Sequence, residues 1–112
     1  QIQNGVNETL TLAKKAADIN PQLFREAAAC GGAQNFYLDS KVGALSNRDF
    51  TPAFKAAYMH KDLFLAKALW EQCGLKLEGS ELAVSRYEEV LAKGWGDEDF
   101  CSTFKLFCPE ED

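Results

Sequence analysis

The sequence lacks clustered positive charge. Its 12 Lys and Arg residues are spread along 112 residues, and its formal net charge is −5. A surface for nucleic acid or for an anionic membrane needs Lys and Arg in a cluster. Long apolar runs are missing too, since none approaches the ~20 residues of a membrane span, and no basic-then-apolar leader is present. We therefore expect neither nucleic-acid nor membrane partners.

Residue patterns that bind structural metals are also absent. His60 is the single histidine, and no two of the four cysteines form a Cys-x-x-Cys pair, so no zinc site is predicted. The cysteines lie within apolar helical patterns, which favours buried free thiols over two disulfides: Cys30, Cys73, Cys101 and Cys108. Reduced thiols fit a soluble protein of the cytoplasm or the mitochondrial matrix.

What the sequence does have is the composition of one compact helical domain. Apolar residues make up 46% of it, which suffices for a single core at this length but not for two. β-branched residues are sparse and two-residue alternation never persists, so no strand is predicted. We predict an all-α domain over residues 1–112, with about six helices and one long central helix.

Capping residues set the predicted helix boundaries. Asn20-Pro21 begins the second helix, Thr51-Pro52 begins the fourth, and Gly74 ends the fourth. The first helix has no cap before Ile2, and residue 1 is Gln, so we interpret the chain as a piece of a longer protein. The predicted helices after the first cover 20–30, 34–45, 51–73, 80–94 and a final segment from 97.

Three acidic residues open the final predicted helix, Asp97-Glu98-Asp99. Acidic side chains in a first turn complement the positive end of the helix dipole. A calcium loop of the EF-hand type needs alternating oxygen ligands, a central glycine and a closing glutamate, and these are absent. We interpret the run as a solvated helix start and predict no metal.

The fourth helix carries a charge inside an apolar stripe. At about 100° per residue, one stripe collects its apolar side chains: Phe54, Ala57, Tyr58, Leu65, Ala68 and Leu69. The pattern predicts that this stripe is buried; Lys61 falls in its middle, where a core residue is expected, and Asp62 falls at its edge. Lys61 either extends to solvent or pairs with a carboxylate, or it contacts an anion or ligand in a cleft, and the sequence leaves both interpretations open.

Apolar residues on the opposite side of this helix predict an interface. Leu63 and Phe64 lie opposite the stripe. Several aromatic residues add apolar surface that one small core does not readily cover: Trp70, Trp95, Phe100, Phe104 and Phe107. We therefore predict that the domain self-associates.

Two segments give the sequence a family resemblance. Phe50-Thr51-Pro52-Ala53-Phe54 resembles the pattern F-x-P-x-F, and Lys61-Asp62-Leu63-Phe64-Leu65-Ala66 resembles K-D-[LM]-x-L-A at the same spacing. These are patterns of the 3-hydroxyisobutyrate dehydrogenase and glyoxylate reductase family of β-hydroxyacid dehydrogenases. Further segments are similar in the same order, so the resemblance covers nearly the whole chain: 8–17, 31–34, 79–83 and 94–100. Cys101 departs from the family, in which serine or alanine is more common.

The resemblance implies a two-domain enzyme. In this family a Rossmann domain binds NAD or NADP, and a helical C-terminal domain, similar to that of 6-phosphogluconate dehydrogenase, completes the active site. This chain resembles only the helical domain, because the G-x-G-x-x-G loop and the catalytic lysine-asparagine segment are absent and would precede Gln1. The implied reaction is hydride transfer between the nicotinamide and a small hydroxycarboxylic acid.

The resemblance also implies roles for three residues. Lys61 would contact the cofactor, and Phe54 and Asp62 would line the substrate and nicotinamide pocket. No catalytic residue is expected here, so we predict that the chain folds but does not catalyse alone. Expected partners are its own N-terminal Rossmann domain, the hydroxy acid and a second copy of the chain. The alternative is a non-catalytic helical dimerisation module with the same fold; the identity of the hydroxy acid and the choice between NAD and NADP stay open.

Overall fold

A computed structural model describes residues 1–109 of the chain. Over these residues the regular structure is helical apart from one isolated bridge, which confirms the all-α prediction. The elements are α1 (Ile2–Ala17), α2 (Pro21–Ala28), α3 (Phe36–Asn47), α4 (Ala56–Gln72), α5 (Glu78–Ala92), a 3-10 helix (Phe100–Thr103) and α6 (Phe104–Phe107). The helices divide into two compact units.

One unit contains α1, α2, α3 and α6. Its apolar core is formed by Val6, Leu10, Leu38, Val42, Leu45 and Phe104. The predicted start of α2 is confirmed, because the Leu23 N–H donates to the Asn20 side chain at 2.9 Å and Pro21 occupies the first turn. α3 begins at Phe36 rather than at residue 34, because Asn35 is its N-cap and accepts from the Leu38 N–H.

The other unit contains residues 51–103, together with Gln1. α4 packs along α5, and the 3-10 helix contacts both. The apolar core here is Ala56, Trp70, Ala83, Val84, Tyr87, Val90 and Cys101. Gly74 and Gly94 follow α4 and α5 with φ of +70° and +79°, the left-handed region that glycine enters without steric cost, so both predicted helix ends are confirmed.

The predicted start of α4 is wrong. Thr51 and Pro52 lie in a segment without helical structure, and the helix begins only at Ala56, with Lys55 at the N-cap. The final segment also differs from the single helix predicted from residue 97, since a 3-10 helix and a short α-helix follow Asp99. Asp99 is itself 1% exposed, so the interpretation of the acidic run as a fully solvated helix start is wrong at this residue.

The predicted buried stripe of α4 is also wrong. Tyr58, Leu65 and Leu69 are 52%, 63% and 63% exposed, whereas Ala56 and Trp70 on the other side are buried. Both sides of α4 carry apolar residues, so the helical period alone did not select the side that packs on α5. Lys61 consequently lies on an exposed side of the helix and not within the core.

Other predicted burial holds only in part. All four cysteines are free, but Cys101 alone is buried, while Cys30 and Cys73 are exposed because they lie at the ends of helices. Trp70 and Phe104 belong to the core and do not add to the exposed apolar surface, whereas Phe64 is 53% exposed. Within residues 1–109 no helix is long and apolar enough to cross a membrane. The same residues contain no cluster of three or more His, Cys, Asp or Glu side chains suited to a metal ion.

Candidate functional site

A buried carboxylate fixes the chain immediately before α4. Asp99 Oδ1 accepts hydrogen bonds from the backbone N–H groups of Ala53 at 2.9 Å and Phe54 at 3.1 Å. Its Oδ2 accepts from the backbone N–H of Cys101 at 3.0 Å. Burial alone would raise the pKa of Asp99, but the hydrogen bonds from Cys101, Ala53 and Phe54 together outweigh it and lower the pKa to about 2. Asp99 is therefore ionised at neutral pH.

Backbone hydrogen bonds extend this attachment into the first turn of α4. The Ala56 N–H donates to the Glu98 carbonyl at 2.8 Å, and the Ala57 N–H donates to the Gly96 carbonyl at 3.0 Å. The first N–H groups of a helix have no partner within the helix. These two are satisfied by the segment before the 3-10 helix, so α4 begins without a side-chain cap from Lys55.

The Phe54 ring is held by the same network. The Phe54 carbonyl accepts from the Phe100 N–H at 2.7 Å. Its ring meets the rings of Tyr58 and Phe100 edge-on, with centroids 5.9 and 6.2 Å away. Phe54 is still 37% exposed, so part of its side chain faces solvent.

Lys61 and Asp62 lie on the same side of α4 as Tyr58. Tyr58 precedes them by three and four residues, so all three share one side of α4. Both charged residues are exposed, and within residues 1–109 their side chains make no ion pair or hydrogen bond. By contrast, Lys67 on the same helix approaches Glu71 at 3.9 Å. The structure thus places four side chains along one exposed row: Phe54, Tyr58, Lys61 and Asp62. Within residues 1–109 the last two have no charged or hydrogen-bonding partner.

The sequence patterns do not predict the exposure of Tyr58 or the hydrogen bonds that Asp99 makes to the segment before α4. The helical period predicts Tyr58 in a buried stripe, whereas Tyr58 is 52% exposed and its ring contacts the Phe54 ring. The run Asp97-Glu98-Asp99 predicts the same solvated position for all three acidic residues, and nothing in it singles out Asp99. Its position two residues before Cys101 is typical of a helix cap, but no local pattern indicates that the same carboxylate also binds residues 53 and 54.

Comparison with known families decides the assignment. A family model described as "NAD-binding of NADP-dependent 3-hydroxyisobutyrate dehydrogenase" matches residues 3–107. The chain belongs to this family. The match confirms the resemblance to β-hydroxyacid dehydrogenases, and the description of the family indicates NAD binding. The roles of Phe54, Lys61 and Asp62 stay predictions.

Individual relatives of the 3-hydroxyisobutyrate dehydrogenase family agree. The probable 3-hydroxyisobutyrate dehydrogenase-like 1, mitochondrial, of Arabidopsis thaliana is 33% identical over 93 residues, which are 83% of this chain and 28% of the relative. The crystal structure of 3-hydroxyisobutyrate dehydrogenase from Salmonella typhimurium superposes with a TM-score of 0.86 at 19% identity, over 94% of this chain and 36% of that one.

A second solved structure shows the same fold. It is the Mycobacterium tuberculosis 3-hydroxyisobutyrate dehydrogenase with L-serine, with a TM-score of 0.83 and 24% identity, over 96% of this chain and 38% of that one. At these identities the two solved structures establish the helical fold alone. The chain spans between 28% and 38% of the length of the relatives it matches.

Proposed function

We propose that the chain is the helical C-terminal domain of an NAD(P)-dependent β-hydroxyacid dehydrogenase of the 3-hydroxyisobutyrate dehydrogenase type. In this proposal a Rossmann domain supplies the phosphate-binding loop and the catalytic lysine. The helical domain completes the substrate and nicotinamide pocket and mediates oligomerisation. The observation that carries the proposal is the exposed row from Phe54 to Asp62, within a chain that matches the family over residues 3–107.

The side chains in this row fit a nicotinamide cofactor and a small hydroxy acid. The Lys61 ammonium has donors for an oxygen of the cofactor, and the Asp62 carboxylate accepts from hydroxyl groups. Neither group is used within residues 1–109, so neither must break a contact to bind a ligand. When bound, NAD or NADP supplies the hydride acceptor or donor. The Phe54 ring provides an apolar wall that orients the reactants, and this chain supplies no proton to the reaction.

The proposed substrate is a small hydroxycarboxylic acid. The relative from Mycobacterium tuberculosis is described with L-serine, which is itself a small carboxylic acid with a β-hydroxyl group. That name supports the substrate class and does not select one acid. The name of the Arabidopsis relative includes the word mitochondrial, which favours the mitochondrial matrix over the cytoplasm for this chain.

A non-catalytic dimerisation module is the second candidate. The exposed Tyr58, Leu65 and Leu69 side chains support self-association whether or not the protein is an enzyme. Lys61 and Asp62, which have no partner within residues 1–109, favour the enzyme, because an apolar interface gains nothing from two charges without partners.

Turnover measurements test the proposed function. The 112-residue chain alone should give a strongly helical circular dichroism spectrum and no NAD(P)H turnover with hydroxyisobutyrate, glycerate or succinic semialdehyde. The two-domain protein that contains it should turn over at least one of them. Turnover by the chain alone, or a two-domain protein inactive with small hydroxy acids, would contradict the proposal.

A further inference from the structure

The Phe54 ring lies outside α4, so its position depends on how the preceding segment is held. Residues 51–55 form no helix, and a free segment of this kind samples many conformations. Here the backbone N–H groups of Ala53 and Phe54 both donate to one oxygen of Asp99. We propose that Asp99 is a positioning residue, whose buried carboxylate holds Phe54 and the start of α4 where the substrate and cofactor meet them.

The chemistry of the contact requires a carboxylate at residue 99. Oδ1 accepts two hydrogen bonds while Oδ2 accepts the Cys101 N–H at 3.0 Å, so both oxygens act as acceptors. Asparagine has the same shape but replaces one oxygen by an N–H donor. In Asp99→Asn, the amide either presents a donor to the Cys101 N–H or turns that donor toward residues 53 and 54. One side of the network must open in either case.

The location of these bonds distinguishes positioning from general stabilisation. Two of the three end on Phe54 and its neighbour Ala53, whereas most helix contacts of this unit lie between α4 and α5. Val90 is a matched control. It lies on α5, is 0% exposed, and has no polar side-chain atom that could take part in the Asp99 network. Val90→Ala should weaken the core and leave the three hydrogen bonds to Asp99 in place.

The kinetic test uses the two-domain enzyme and rests on the proposed function. At a temperature where circular dichroism shows every variant folded, Asp99→Asn should raise the KM for the hydroxy acid about tenfold, since misplacing a group by about 1 Å costs up to about a hundredfold. Val90→Ala should leave that KM within about twofold of the parent. In a Phe54→Ala background, Asp99→Asn should raise the KM little further, because the Phe54 ring through which Asp99 acts has been removed.

A second measurement, on the 112-residue chain, follows the contact itself. The amide protons of Ala53 and Phe54 should shift as Asp99 titrates, with a midpoint near its pKa of about 2. They should lose protection from hydrogen exchange in Asp99→Asn and keep it in Val90→Ala.

The outcomes separate the two proposals. If the parent enzyme turns over and Asp99→Asn has the same KM as Val90→Ala, the positioning role is wrong and the proposed function stands. Equal effects of Asp99→Asn with and without Phe54 would also overturn the positioning role. If the parent enzyme is inactive with hydroxy acids, the proposed function fails, and the positioning of a substrate-binding residue fails with it.

Discussion

The two sides of α4 differ in what covers them. One side packs on α5 and buries Ala56 and Trp70, whereas the other leaves Tyr58, Leu65 and Leu69 more than half exposed. Both sides are apolar in sequence, so apolar content does not identify the core of this unit. The exposed side also carries Lys61 and Asp62, whose side chains make no ion pair or hydrogen bond within residues 1–109.

The largest expected effect is the loss of stability from a substitution on the buried side of α4. Trp70→Ala should lower the free energy of unfolding by about 4 kcal/mol, because truncating a buried aromatic residue leaves a cavity. Its neighbour Leu69 provides the control, since it is 63% exposed and Leu69→Ala should change stability by about 0.5 kcal/mol or less. Urea unfolding followed by circular dichroism measures both. Equal losses at the two positions would show that the assignment of the sides is wrong.

The next effect tests whether the exposed side is an interface. If copies of the chain associate through Leu65 and Leu69, Leu65→Glu should weaken association by at least about tenfold, because a charge must then be buried in an apolar contact. Ser85→Glu adds the same charge on an exposed part of α5 and should leave association unchanged.

Sedimentation equilibrium at micromolar concentration measures this association. Phe64→Glu, at the border of the exposed side, should have a smaller effect than Leu65→Glu. A parent chain that sediments as a 12.4 kDa monomer would contradict the predicted self-association.

The local features of the fold were predictable, and the long-range ones were not. Asn20 and Gly74 act on the helix ends beside them, so a few neighbouring residues suffice to predict those ends. The segment before α4 is instead hydrogen-bonded to Asp99, 45 residues after Phe54, and no local pattern encodes that contact. The helical period predicts that Lys61 interrupts a buried apolar stripe, whereas the stripe that it interrupts is exposed.

The Asp99 network predicts a stability change in acid. Its pKa falls from an ordinary 3.8 to about 2 in the folded chain, so the ionised form stabilises the fold above about pH 4. That contribution should be lost as the pH falls from about 4 to about 2, when the folded chain also takes up the proton.

A comparison of two chains isolates this contribution. The difference in free energy of unfolding between the parent and Asp99→Asn should be constant from pH 7 to pH 5 and should shrink below pH 4. A difference that stays constant down to pH 2 would show that the charge of Asp99 does not stabilise the fold.

The affinity of the two-domain enzyme for its cofactor tests the assignment of the exposed row most directly. Lys61→Ala should raise the KM for NAD or NADP about tenfold, since a hydrogen bond from a charged group contributes about 1.5 to 3 kcal/mol. Lys76→Ala, which removes another exposed lysine from the loop after α4, is the matched control and should leave the KM unchanged. Only Lys61→Ala should raise the KM, and its unfolding midpoint should equal that of the parent. Equal KM values in the two variants and the parent would show that Lys61 does not contact the cofactor.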